Sequence, residues 1–210
     1  GDAGKRDPGA AVALLQRLAF LGVRVDALAS DGEFAGVRYA KGTWVIPMDQ
    51  PFAELVRQLF DRQEYPDLRE EATGAPEPPY DAAGWTLPYL MDVRVVEART
   101  PLSAAFKAAL QAVRGPATDP NDPTTPFSID PTAAGIVVPA ARITGTGATL
   151  IVDPAQNDAF RLLNRALADG GSVRAQGGRY AVSGVAPAKL EGWATALGLR
   201  AARAAGADGS

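Results

Sequence analysis

Apolar residues recur every three to four positions in several segments of the chain, and this spacing is typical of an amphipathic helix. The clearest stripe of this kind consists of Phe52, Leu55, Val56, Leu59 and Phe60. On this basis helices are predicted over residues 9–21, 51–62, 100–113, 156–168 and 187–197. The first helix also has strong end signals, because Asp7 and Pro8 suit its N-cap and first turn and Gly22 favours its end.

Short runs of β-branched and aromatic residues between these helices predict strands. Single strands are expected over residues 23–25, 93–97, 136–138, 149–152, 172–175 and 179–183, with a turn at Gly177-Gly178 between the last two. Residues 34–39 and 43–47 are expected to form a hairpin around Lys41-Gly42. Strands that alternate with helices favour an α/β fold with mixed sheets flanked by helices.

The two halves of the sequence resemble each other. Residues 11–17 align with residues 159–165, after which Gly22 falls opposite Gly170 and Arg38-Tyr39 matches Arg179-Tyr180 across a short gap. The pattern indicates two similar α-β-β-α halves that arose by duplication. The alternative is that any helix–glycine–strand step in an α/β protein produces such a match.

Proline-rich segments suggest how the chain is divided. The predicted parts are a first α/β half over 1–114 with a proline-rich loop at 63–82, a linker or loop at 115–131, a second α/β half over 132–200 and a frayed tail at 201–210. Both proline-rich segments are too poor in regular pattern to be a single helix or a central strand.

Composition excludes several kinds of chemistry. The 210 residues contain no histidine and no cysteine, so a Ser-His-Asp or Cys-His nucleophile and an ordinary zinc site are impossible in this chain. The net charge of −3 comes without clustered basic residues, which argues against a nucleic-acid partner. No apolar run approaches the about 18 residues of a membrane span. We therefore expect no catalytic residue, no metal ligand and no cofactor here.

Carboxylates remain as candidates for acid–base or metal chemistry. The largest acidic group consists of Asp61, Glu64, Asp67, Glu70 and Glu71. A solvated cluster beside a loop is the favoured interpretation of these residues, because charged side chains are mostly exposed. Asp119, Asn121 and Asp122 do not have the spacing of a calcium loop. Gly145-Thr146-Gly147 precedes a strand, so it is interpreted as a turn and not as part of a dinucleotide site.

Aromatic residues beside prolines form the most interesting candidate binding surface. The candidate residues are Tyr65, Tyr80, Trp85 and Tyr89. Aromatics of this kind can form a groove for a peptide or a sugar. The more conservative interpretation is that their rings pin the irregular loop onto the sheet, since each ring buries a large area.

One part of the chain has a recognisable likeness. The sequence YAKGTWVIPMDQP at 39–51 is followed by Tyr65-Pro66-Asp67, Pro79-Tyr80-Asp81, GWTLP at 84–88 and Met91-Asp92-Val93. This part resembles the region after the catalytic domain in large bacterial zinc carboxypeptidase-like proteins. The zinc ligands of that family are a His-x-x-Glu pair and a later histidine, and none can be carried over to a chain without histidine. The resemblance therefore implies a region outside the catalytic domain.

The resemblance also implies a role and a location. Zinc and peptidase activity would belong only to the parent protein, which would be secreted or periplasmic. This region would be a non-catalytic accessory that packs on the catalytic domain of the same chain, or shapes access for a peptide substrate. The alternative is an independent peptide- or glycan-binding module that uses Tyr65, Tyr80, Trp85 and Tyr89. A third hypothesis is a carboxylate-based hydrolase.

Overall fold

The computed structural model describes residues 7–62, 66–78, 86–115 and 129–205. The helices are α1 Pro8–Phe20, α2 Ala53–Phe60, α3 Leu87–Leu90, α4 Ala104–Ala108, α5 Pro131–Gly135, α6 Asn157–Ala168 and α7 Pro187–Ala196. The strands are β1 Asp26–Leu28, β2 Gly32–Phe34, β3 Val37–Tyr39, β4 Trp44–Val45, β5 Leu110–Ala112, β6 Arg142–Gly145, β7 Thr149–Val152, β8 Ser172–Gln176, β9 Arg179–Ser183 and β10 Arg200–Ala204. The predicted α/β class with mixed sheets is confirmed.

The first sheet is small and antiparallel, with the strand order β4-β1-β5. Ala27 at its centre lies opposite Trp44 on one side and opposite Gln111 on the other. The hairpin β2–β3 forms a separate two-stranded sheet. The predicted pairing of residues 34–39 with 43–47 is therefore wrong. The chain turns earlier, at Ala35 and Gly36, which both have positive φ angles, as tight hairpin turns require.

The second sheet has five strands in the order β6-β10-β7-β9-β8. Neighbouring strands are antiparallel, except that β6 runs parallel to β10. From β7 onward the elements follow the order β-α-β-β-α-β, which is the ferredoxin-like or split βαβ motif. Both helices of this unit, α6 and α7, pack on one face of the sheet and enclose the second core.

Two apolar clusters form the core of the described residues. The first is built around α1 and contains Leu14, Leu18 and Val25, together with Ala133 and Ile136 of the α5 segment. The second lies between the five-stranded sheet and its helices and contains Leu150, Leu162, Val182 and Leu190 among others. The sequence therefore folds around two apolar centres.

Several sequence-based predictions of elements are confirmed. The structure contains β7 and β9 with the predicted bounds, α6 and β8 within one residue of them, and α7 within one residue at its end. The turn between β8 and β9 lies at Gly177-Gly178, and both of these glycines have positive φ angles. Asp7 caps α1 by accepting a hydrogen bond from the backbone N–H of Gly9. Helix α2 is present but shorter than predicted.

Other predictions are wrong. Residues 23–25, 93–97 and 136–138 form no strand, although Val23, Val25 and Ile136 are buried. Their burial explains their apolar character without any ladder of strand hydrogen bonds. The helix predicted over 100–113 is limited to α4, because the chain then enters β5 and pairs with β1.

The largest correction concerns the C-terminal end. Residues 201–204 were expected to fray, but they belong to β10, which lies between β6 and β7 inside the five-stranded sheet. Residues 206–210 lie outside the described residues. The strand β6 was not predicted, because its short sequence Arg-Ile-Thr-Gly has little apolar character.

The two-fold duplication is not confirmed. In the second half the strand that follows α6 pairs directly with the next strand, β9. In the first half β1 pairs with β4 and β5, and the β2–β3 hairpin stands between. Most of the predicted linker, residues 116–128, lies outside the described residues. Helix α5, which follows it, packs on α1.

Candidate functional site

The four aromatic residues of the predicted binding surface are only partly described. Tyr65, Tyr80 and Trp85 lie outside the described residues. Tyr89 lies on α3 and is 82% exposed. For Tyr89 the structure thus contradicts the interpretation that its ring pins a loop onto the sheet, because the ring is in solvent.

Helix α3 is anchored on one side and exposed on the other. Leu87 and Met91, four residues apart and therefore on one face of the helix, pack against the first apolar cluster. The hydroxyl of Thr86 donates to the carbonyl oxygen of Asp61 at 3.3 Å, which ties the start of α3 to the end of α2. Tyr89 and Leu90 point away from these contacts, and Leu90 is 69% exposed. This pair is called the α3 apolar surface below.

The candidate carboxylates do not form a site among the described residues. Asp61, Asp67, Glu70 and Glu71 are all exposed, and Asp67 is paired with Arg69 at 2.8 Å. Glu64 and the segment with Asp119, Asn121 and Asp122 lie outside the described residues. In the described ranges no three His, Cys, Asp or Glu side chains are grouped so that they could hold a metal ion.

The face of the five-stranded sheet opposite α6 and α7 is a second open surface. Because side chains alternate along a strand, Arg174 and Arg179 lie on this face, and Ile151, Ala181 and Ala202 lie between them and the far edge of the sheet. The one aromatic residue in these five strands, Tyr180, lies on the helix side and contacts Phe160. This face therefore offers no rings on which bases could stack.

A groove lies over the small antiparallel sheet. It has a volume of about 320 Å³ and is open to solvent. Its lining comprises Ala27, Leu28, Ala29, Lys41, Gly42, Trp44, Gln111, Ala112, Val113, Arg114 and Gly135. These residues come from β1 and the residue after it, from β4 and the turn before it, from β5 and the two residues after it, and from the end of α5. We call this feature the sheet groove.

The sheet register determines which side chains line the floor of the sheet groove. Ala27, Trp44 and Gln111 lie directly opposite one another on three adjacent strands, and opposed residues in antiparallel strands place their side chains on the same face. The small methyl group of Ala27 thus leaves a depression between an indole and an amide. Trp44 also packs against the first apolar cluster, which fixes its ring in the floor of the groove.

Positive charge dominates the sheet groove. Lys41 and Arg114 line it, and none of the described residues that line it is acidic. Within the described residues, no ion pair or hydrogen bond engages the Lys41 ammonium or the Arg114 guanidinium. The Asp31 carboxylate beside Lys41 is already engaged, since it accepts hydrogen bonds from the Arg38 side chain and from the backbone N–H of Lys41. These hydrogen bonds lower the pKa of Asp31.

A close crossing of two backbone segments borders the sheet groove. The backbone N–H of Gly115 donates to the carbonyl oxygen of Pro131 at 2.7 Å. A Cβ atom on Gly115 would lie 2.6 Å from the backbone nitrogen of Gly135, and a Cβ atom on Gly135 would lie 2.6 Å from the carbonyl carbon of Arg114. Only glycine, which has no Cβ atom, allows the two backbone segments to come this close, and their contact positions Arg114 beside α5.

Asp26 lies on the face of β1 opposite Ala27 and is 8% exposed. Burial raises its pKa above the ordinary value of an aspartate, and the negative charge of Asp49 acts in the same direction. Arg24, whose guanidinium lies 3.8 Å from the Asp26 carboxylate, opposes this effect. Asp26 is thus a structural carboxylate of the sheet and does not line the groove.

Comparisons with known proteins do not assign the chain to a family. No protein-family model matches it, and no curated protein or solved structure is similar enough to match. The longest described helix, α1, has 13 residues. Within the described ranges, none combines the length and the apolar character that a bilayer crossing would need.

Sequence reasoning did not find the sheet groove. It placed Lys41 in the turn of a predicted hairpin and named none of Trp44, Gln111 and Arg114 as a candidate binding residue. These residues are separated by about 70 positions along the chain, and only the pairing of β1 with β4 and β5 brings them together. The available sequence signal was slight, namely two cations that each stand beside a glycine at the end of a strand or turn.

Proposed function

We propose that this chain is a non-catalytic accessory region of a zinc carboxypeptidase-like protein, and that it packs on a separate catalytic domain of the same longer chain. The sequence resemblance over residues 39–93 supports the choice of parent. The lack of histidine and cysteine supports a non-catalytic role. Zinc would then be bound by the catalytic domain, and export of the parent would place this region in a secreted or periplasmic protein.

The observation that carries this proposal is the α3 apolar surface. Tyr89 and Leu90 expose 82% and 69% of their surface, although Leu87 and Met91 hold the same helical turn firmly on the core. Large apolar side chains exposed on an anchored helix are typical of protein interfaces, where tyrosine is enriched. A catalytic domain in the same chain is at a high effective concentration, so a small surface is sufficient for docking.

Docking through α3 would also give the region an effect on the reaction. The contact would bring the exposed side of α3, with Tyr89 and Leu90, against the catalytic domain. A contact of this kind beside the zinc site would narrow the path of a peptide substrate. The proposed role is therefore to pack on the catalytic domain and to shape the access of a peptide substrate to it. Every chemical step belongs to the catalytic domain.

A binding experiment with separated domains tests this proposal. The catalytic domain, taken from the coding sequence upstream of Gly1, is titrated with this chain by calorimetry. Replacing Tyr89 and Leu90 together by alanine should weaken binding about tenfold or more, because interface anchors commonly account for over 1 kcal/mol each. Leu167→Ala on α6 is the matched control, since Leu167 is also more than half exposed.

Three results would contradict the proposal. The first is an upstream coding sequence without a domain that has a His-x-x-Glu pair and a later histidine. The second is a lack of binding between the wild-type domains. The third is a loss of affinity in the Leu167 control as large as that in the α3 variant. Peptide hydrolysis by the purified chain alone would contradict its non-catalytic character.

The second candidate function is an independent module that binds a peptide or a glycan through Tyr65, Tyr80, Trp85 and Tyr89. The exposure of Tyr89 favours it, because a ring in solvent is available for stacking on a ligand. Trp85→Ala separates the two candidates. Loss of ligand binding with unchanged thermal stability supports the module, whereas loss of folding supports a purely structural role for this ring.

A further inference from the structure

We propose that the sheet groove is a binding site for an acidic peptide segment. Lys41 and Arg114 would bind its carboxylates, and Trp44 and Gln111 would contact the chain between them. This site involves none of the residues of the α3 apolar surface and requires no catalytic domain. It therefore goes beyond the proposed function and can fail or succeed independently of it.

Charge is the first argument for this ligand. Several arginines of the described residues form ion pairs with carboxylates, as Arg38 does with Asp31 and Arg203 does with Glu191. Among the residues that the structure describes, Lys41 and Arg114 have no such partner, and no acid lines the groove between them. A guanidinium can hold a carboxylate through two parallel hydrogen bonds, and an ammonium adds a second point of attraction. The lining is therefore complementary to an anionic ligand.

The shape and the neutral lining favour a peptide over a small inorganic anion. The groove volume of about 320 Å³ lies at the lower end of the range for ligand sites. Its floor offers the indole of Trp44 to an apolar side chain, and the amide of Gln111 can both donate to and accept from a peptide backbone. A lone phosphate or sulfate would use only the two cations. Two cations are also too few for a nucleic-acid backbone.

The lining is held in place before any ligand binds. The backbone N–H of Gly42 donates to the carbonyl oxygen of Leu28 at 2.8 Å, and that of Leu28 donates to the carbonyl oxygen of Thr43 at 3.0 Å. These bonds fix the turn that carries Lys41 beside β1. On the other side, the crossing of Gly115 with Gly135 fixes Arg114. A preformed site loses less conformational freedom when it binds.

The test uses the full chain and a capped hexaglutamate peptide, with capped hexalysine as the opposite-charge probe. Binding is followed by calorimetry and by tryptophan fluorescence at low ionic strength. Lys41→Gln and Arg114→Gln should each weaken hexaglutamate binding about tenfold, and hexalysine should not bind. Lys107→Gln on α4 and Arg174→Gln on β8 are matched controls, because both are exposed cations away from the groove, and they should change affinity less than about twofold.

Fluorescence locates the bound peptide. The chain has three tryptophans, so Trp44→Phe should remove the fluorescence change on titration while leaving part of the binding measured by calorimetry. Circular dichroism checks that each variant folds. The proposal is overturned if wild type does not bind hexaglutamate, if the control variants lose as much affinity as the groove variants, or if phosphate or an oligothymidylate competes as effectively as the peptide.

Discussion

The carboxylate of Asp7 caps two helices, α1 and α6, whose first residues lie 149 positions apart in the sequence. Its Oδ1 accepts a hydrogen bond from the backbone N–H of Gly9 at 2.9 Å, and its Oδ2 accepts one from the backbone N–H of Asn157 at 3.0 Å. The side chain of Gln156, the N-cap residue of α6, forms no cap because it is bonded to Arg200 instead. Asp7, which is only 5% exposed, therefore supplies the cap that α6 lacks and joins α1 to α6.

Replacing Asp7 by alanine should lower the free energy of unfolding by about 2 kcal/mol or more, because two helix N-termini lose an acceptor. Urea denaturation followed by circular dichroism measures this change. Asp153→Ala is the control, since the Asp153 carboxylate accepts the exposed backbone N–H of Ala155 and, among the described residues, caps no helix, and it should cost clearly less. Equal losses in the two variants would contradict the double-cap role.

Gly135→Ala should destabilise the chain by about 1–3 kcal/mol, because the new methyl group would overlap the backbone at Arg114. The matched control is Gly192→Ala in α7, where a Cβ atom meets nothing within 4 Å. That change should stabilise the chain by about 0.5–1 kcal/mol, since alanine favours a helix. Thermal unfolding of the two variants should shift in opposite directions. A neutral Gly135→Ala would show that the crossing can relax.

Asp26→Asn should increase the free energy of unfolding at neutral pH. Burial raises the folded-state pKa of Asp26 above its unfolded value, so the folded state binds this proton more tightly. The contribution to stability is then largest below the unfolded pKa and is lost as the pH rises through the folded pKa. Urea titrations at several pH values should show that the advantage of the asparagine variant disappears in acid. An asparagine variant that is less stable than wild type at neutral pH would contradict this prediction.

Asp31→Asn should act in the opposite direction. Hydrogen bonds from the Lys41 backbone and the Arg38 side chain lower the pKa of Asp31, so its contribution to stability is present above the unfolded pKa and is lost as the pH falls through the folded pKa. The variant should therefore be less stable than wild type at neutral pH and equal to it in strong acid. The same urea series measures both variants.

Gln156→Ala should loosen the C-terminal strand. The Gln156 amide accepts from the backbone N–H of Arg200 at 2.7 Å and donates to its carbonyl oxygen at 2.8 Å. Loss of both bonds should cost about 2 kcal/mol, because the partner groups are left partly buried. Hydrogen exchange should accelerate at Arg200 and Ala201. Gln176→Ala on the exposed strand β8 is the control and should leave exchange in β10 unchanged.

The sequence by itself predicted those elements whose signals are local. Helix α6 has an amphipathic stripe, and Gly170 follows it with a positive φ angle. The strands β8 and β9 flank a Gly-Gly turn, and Pro187 stands in the first turn of α7. Each signal depends on residues within a few positions of one another, so no knowledge of the distant chain is needed. The absence of histidine and cysteine likewise follows from composition alone.

Long-range contacts decided the rest. The sequence of β10, Arg-Ala-Ala-Arg-Ala, has no strand pattern, and it is extended because β6 and β7 supply partners on both sides and Gln156 holds its first residue. Val23 and Val25 are buried in the core but belong to no strand, so their apolar character reports burial and not sheet pairing. The sheet groove exists only because β1 pairs with both β4 and β5, which brings Lys41 and Arg114 to one surface. Periodicity along a chain reports which residues avoid water, whereas the position of a backbone hydrogen-bond partner far along the chain leaves no such local trace.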